Sequence, residues 1–105
     1  MKDFVEKLIV TNRPSDQQRQ KETWDIEGIL HNQKYKFDLR PIKNNYKIGF
    51  FKSKADKMVF DMKDQWIIVD VEELHEYMKK NKIKEINLNE LLPNLDWTLF
   101  LSKKH

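Results

Sequence analysis

Apolar and polar positions alternate with period two in two neighbouring runs, Trp24-Asp25-Ile26-Glu27-Gly28 and Tyr35-Lys36-Phe37-Asp38-Leu39-Arg40. Each reads as a half-buried strand. His31-Asn32-Gln33 suits a tight connection between Leu30 and Lys34. Setting Leu30 opposite Tyr35 puts Glu27 opposite Asp38 and Asp25 opposite Arg40. One face of such a hairpin carries Trp24, Ile26, Leu30, Tyr35, Phe37 and Leu39. The other gathers the carboxylates of Asp25, Glu27 and Asp38 with the Arg40 guanidinium.

Around the hairpin the pattern changes. Phe4, Val5, Leu8 and Ile9 form one stripe of a short amphipathic helix over residues 2–10, which Asp3 could cap. Pro14 and the polar residues 15–22 follow, as a loop or as a polar helix starting at Ser15 or Asp16. Pro41 ends the second strand or marks an edge. Residues 58–62 predict a third strand, and Lys63-Asp64 a turn. Trp66-Ile67-Ile68-Val69 is apolar on both faces, as in a central strand covered on each side. Asp70, with Glu73 three residues later, resembles a capping box. The helix it opens runs to about residue 80, with Val71, Leu74, Tyr77 and Met78 on the core side and two lysines at its C-terminal end. A short strand at 86–88, a turn around Pro93 and a last strand at 97–101 complete the chain. That last strand could leave an exposed edge able to pair with a second copy. This order predicts one α+β domain over residues 1–105, with a mixed or antiparallel sheet of four to six strands and two or three helices.

Composition narrows the chemistry. The 105 residues include three Trp, six Phe and three Tyr, enough for a modest core. Charged residues make up 35%, with a net charge of +3, which is compatible with nucleic acid without requiring it. With no cysteine there are neither disulfides nor thiolate metal sites. Three histidines, one of them His105, argue against a histidine-based zinc site. No apolar run approaches a membrane span, and residues 1–4 do not resemble a signal peptide, so the expectation is a soluble, cytoplasmic protein. Two glycines 21 residues apart make no phosphate loop.

Three constellations remain. Asp25 and Asp38, on adjacent strands with Arg40 two residues on, could hold Mg²⁺ and a phosphate. They could equally form an exposed ladder of ion pairs. Residues 43–57 interleave Lys43, Lys47, Lys52, Lys54 and Lys57 with Tyr46, Phe50 and Phe51. This stretch could follow a nucleic-acid backbone and stack bases, meet an acidic protein partner, or simply solvate its lysines while the aromatics pack. His75 with Glu72, Glu73 and Glu76 could hold a metal ion weakly, or be an ordinary solvated helix face.

The Asp on one strand, the turn, and the acid-x-base on the next strand resemble the PD-(D/E)XK nuclease superfamily. The polar, Gln-containing Ser15-Asp16-Gln17-Gln18-Arg19-Gln20 before the first Asp is similar to what precedes it in small phage and mobile-element members. Residues 49–60 look like the loop and strand after their catalytic core, and residues 66–77 like the strand and helix beyond. The resemblance spans roughly residues 11–80, through loose motifs. It implies a restriction-endonuclease-like core, Asp25 and Asp38 as ligands of Mg²⁺, and Arg40 in the catalytic position where the family has Lys. Arg stays charged and cannot lower its pKa as a site lysine does.

Two functions follow. One is a phage or mobile-element nuclease-like protein that binds nucleic acid, with Mg²⁺-dependent phosphodiester cleavage if the site is active. The other is a small non-enzymatic inhibitor or accessory protein, of anti-restriction or anti-CRISPR type, that binds a host or defence protein. The short chain, the Arg at position 40 and the dense surface charge favour the second. The family resemblance favours the first.

Overall fold

Six strands form one mixed sheet in the computed structural model, which describes residues 1–41, 47–49 and 53–103. The elements, in chain order, are α1 (Lys2–Val5), β1 (Ile9–Asn12), α2 (Asp16–Glu22), β2 (Ile26–Leu30), β3 (Gln33–Arg40), β4 (Lys47–Gly49), β5 (Lys57–Asp61), β6 (Gln65–Asp70), α3 (Val71–Lys80), β7 (Glu85–Asn87), α4 (Leu88–Leu91) and β8 (Thr98–Ser102). A 3-10 turn, Leu92–Asn94, follows α4. The sheet order is β1-β2-β3-β5-β6-β8, and β4 and β7 form a separate two-stranded ribbon. Only β3 and β5 run parallel among the neighbours in the large sheet. The fold is α+β, as the order of patterns predicts.

The sheet is covered on both faces. Trp66 and Ile68 of β6 point into one cluster with Phe4, Ile26, Phe37 and Val59. Ile67 and Val69 point into the other, with Met58, Phe60, Leu74, Met78, Ile86 and Leu91. That is why residues 66–69 lack a polar face. Phe4 sits edge-on to Phe37 at 5.4 Å and to Trp66 at 5.7 Å, so α1 anchors its face through one ring.

Three local expectations change. The first helix stops at Val5, and Ile9 and Val10 instead pair with Ile29 and Gly28. β-branched residues and an available strand edge outweigh a helical stripe that is only two turns long. The β2–β3 connection is two residues, not three. His31 (φ 50°) and Asn32 (φ 66°) are both left-handed, as a type I′ hairpin requires. The register therefore runs Leu30 to Gln33, Gly28 to Tyr35, Glu27 to Lys36 and Ile26 to Phe37. It is offset by two residues from the expected one, so each side chain keeps its face but changes its partner. Trp24 also changes sides: it packs with Met58 and Phe60, opposite Ile26, because the chain leaves the ladder at left-handed Thr23 (φ 54°).

The polar segment 15–22 is a helix. Ser15 accepts from the Gln18 N–H, and the Gln18 side chain accepts from the Ser15 N–H, closing a capping box. At α3 only half of the expected box forms. Asp70 accepts from the Glu73 N–H at 3.0 Å, but the Glu73 carboxylate reaches away to the N–H groups of Asp96 and Trp97. It thereby ties the lead-in of β8 to the helix. Among the described residues, no helix is long and apolar enough to cross a membrane.

Candidate functional site

Asp25 lies one residue before β2, where the ladder breaks. Its N–H donates to the Phe37 carbonyl at 2.8 Å, and its Oδ2 accepts the Leu39 N–H at 2.8 Å. The carboxylate thus takes a backbone position in the ladder, and its other oxygen, Oδ1, takes the Arg19 guanidinium at 2.7 and 2.9 Å. Arg19 is on α2, and its capped helix sets the side chain over the end of the hairpin. The register offset places Asp25 beside Asp38 rather than opposite Arg40. Glu27 leaves the cluster. It faces Lys36 in register, accepts from Thr11 at 2.9 Å and lies 3.6 Å from Lys34.

Asp38 and Arg40 come from alternate positions of β3 and share a face. Their parallel partners are Met58 and Phe60, both core residues, so this end of the sheet is apolar underneath. Asp38 is only 4% exposed. Arg40 Nη2 donates to Asp38 Oδ2 at 3.0 Å, and Ser53 lies within hydrogen-bonding reach of the same carboxyl. Burial pushes the Asp38 carboxyl above the usual aspartate range. Arg40 pulls it back, the Asp25 charge raises it further, and the nearby Ser53 hydroxyl lowers it. Desolvation is the largest of these effects, so the charged form is held at a cost.

Segment 53–56 closes the cluster. The Ser53 hydroxyl donates to the Thr23 carbonyl at 3.0 Å, and the Lys54 N–H donates to the Glu22 carbonyl at 2.7 Å. Asp56 is stapled to Lys36 by two bonds of 2.8 Å, one from each residue's N–H. The Lys36 ammonium stands 5.0 Å above the Trp24 ring. Arg19, Arg40, Lys36 and Lys54 are therefore carried by the elements around the buried carboxylate. Arg19 and Ser53 are the members sequence reasoning missed. The Gln-containing run before the first Asp was the available signal for Arg19, and Ser53 had none beyond its place in the loop.

The lysine stretch divides. Lys47 and Lys54 are exposed, while Lys43 and Lys52 lie outside the described residues. Lys57 does not belong with them: it is 8% exposed, its ammonium meets Asp70 at 2.8 Å, and it sits 3.9 Å above the Trp97 ring. It holds β5 to β6 and is not presented to a ligand. Phe50 and Phe51 also lie outside the described residues.

Mg²⁺ requires close to six oxygen ligands at about 2.0–2.1 Å. Both Asp25 oxygens are engaged by Arg19 and the Leu39 N–H, and Asp38 is engaged by Arg40. No group of three or more metal-donor side chains is assembled among the described residues, at this cluster or at His75. The pair as arranged does not fit the ion, because guanidinium groups already supply the neutralising charge. His75 instead lines a groove of about 320 Å³ with Glu72, Glu76, Lys79 and Ser53, on the far side of Ser53 from Asp38 in sequence and beside α3. No family model, curated protein or solved structure matches this chain.

Proposed function

We propose that this chain is a nuclease-like protein that binds a nucleic-acid backbone at the Asp25–Asp38–Arg40 cluster. The observation that supports it is the buried Asp38. A carboxylate kept in an apolar seat, next to a second carboxylate and under a guanidinium, is poor value as a stabilising device. Such perturbed groups concentrate at functional sites. The resemblance of the hairpin to PD-(D/E)XK nucleases supplies the substrate class. In this reading Asp25 and Asp38 serve as buttresses: they hold the Arg19 and Arg40 guanidinium groups at the end of the hairpin, where their positive charge meets phosphate oxygens. Lys54 and Lys47 extend the contact. Cleavage is not part of this reading, since Arg19 and Arg40 each engage one of the two carboxylates and no third metal-donor side chain is grouped with them among the described residues.

The direct test incubates single- and double-stranded DNA and RNA with the protein in Mg²⁺ or Mn²⁺, with Asp38→Ala alongside. Binding without cutting is the expected result. Cutting that disappears in Asp38→Ala would make the cluster a metal-dependent catalytic centre with Arg40 tolerated in the lysine position. The second reading, an inhibitor of a host or defence protein, is favoured by one observation: Phe100 is 54% exposed on an edge strand. Absence of any nucleic-acid binding at low salt would leave that reading standing.

A further inference from the structure

The two edges of the large sheet are built differently. β1 is interrupted by a register shift between Val10 and Asn12, and Pro14 follows two residues after it. Bulges and prolines are common guards against edge-to-edge pairing. β8 carries no such guard. Thr98-Leu99-Phe100-Leu101-Ser102 pairs in unbroken register with β6 and contains no charged residue, proline or glycine, in a chain that is 35% charged. On its other side no strand lies beside it among the described residues. The strand also has a symmetry. Read outward from Phe100, the flanking residues are Leu and Leu, then Thr and Ser.

We propose that β8 is a self-complementary edge through which two copies of this chain pair antiparallel about Phe100. A two-fold axis at that residue sets Phe100 against Phe100, Leu99 against Leu101, and Thr98 against Ser102. The two central meetings are like with like: aromatic on aromatic at Phe100 and aliphatic on aliphatic at Leu99 and Leu101. The contact is isologous and closes at two copies. The uncharged strand lets two chains of net charge +3 meet without placing like charges opposite each other. The area sets the strength. Phe100 retains 54% of its exposure, roughly 100 Å² to bury per copy, and a five-residue edge remains well below the roughly 1,200 Å² of a standard interface. The dimer is therefore weak and concentration-dependent, with Kd in the range of about 10 μM to 1 mM.

The absence of native cysteine makes single-cysteine crosslinking decisive. Directly opposed residues stand about 4.5–5.5 Å apart at Cα, inside the disulfide range. Residue 99 and its own copy stand about 8 Å apart, outside it. Phe100→Cys is expected to form disulfide dimers about tenfold faster than Leu99→Cys under mild oxidation. Mixing Thr98→Cys with Ser102→Cys should give the heterodimer ahead of either homodimer, a check that leaves Phe100 in place. Sedimentation of the wild type over a concentration series should show a monomer–dimer equilibrium, and Phe100→Lys should weaken it about tenfold or more. A wild type that stays monomeric at about 1 mM, equal crosslinking at positions 99 and 100, or species growing beyond the dimer would each overturn the proposal. The last outcome would indicate head-to-tail pairing of β8 with β1.

Discussion

Asp38 and Lys57 are the two charged residues that the fold buries among the described residues, and they do opposite things. Asp38 holds its proton more tightly in the folded protein than in the unfolded chain. Between the ordinary aspartate value of about 4 and its raised value, the folded state binds more protons than the unfolded one. Stability therefore rises as pH falls through that window, and at neutral pH the charged carboxylate costs stability. Asp38→Asn is accordingly expected to melt about 2–5 °C above wild type at pH 7. The gap should close as the pH approaches 4. A neutral-pH melting temperature well below wild type would show the charge to be structural. Lys57 is different: its ammonium is paired with Asp70, the N-cap of α3, and covered by Tyr35 and Trp97. Lys57→Ala should cost about 2–4 kcal/mol in chemical denaturation, while leaving nucleic-acid affinity unchanged. Sequence reading placed Lys57 with its lysine-rich neighbours because composition was the stronger signal there. The strand alternation that puts Lys57 on the same face as buried Val59 carried the correct information.

At the scale of elements, legibility followed the length and purity of each pattern. β5, β6 and α3 could be read within a residue or so because their apolar positions are dense and Asp70 marks the helix start. The strand at Ile9–Asn12 could not, since Phe4, Val5, Leu8 and Ile9 fit a helix stripe, and only pairing with β2 decides the matter. The hairpin was legible as a hairpin, and its faces were right apart from Trp24. Its register was not, because two left-handed residues and a three-residue loop are equally plausible for His31-Asn32-Gln33. The site inherited that error: Asp25, Asp38 and Arg40 do gather, but Glu27 does not, Arg19 arrives from the polar helix just before Asp25, and Ser53 from a later segment that no local pattern connects. The turn gives a check of the register. Asn32→Gly removes the left-handed strain at φ 66° and should stabilise the protein by about 0.5–1 kcal/mol without altering the site. A loss of stability would argue against the type I′ turn.

Across the whole molecule, a sheet buried on both faces leaves one end of the β2–β3 hairpin to carry polar chemistry. α2 and residues 53–56 converge there, and two arginines are clamped by carboxylates. That convergence is the central claim, and fluorescence anisotropy tests it most directly. A labelled duplex would be titrated with wild type and with an Arg19→Ala, Arg40→Ala double variant over a series of salt concentrations. Wild-type affinity should fall linearly on logarithmic axes. The double variant should bind more weakly at every salt concentration, with a slope shallower by about two phosphate contacts. Identical affinity and slope for the two proteins, or no binding by wild type at the lowest salt, would contradict the assignment of this cluster to a nucleic-acid backbone.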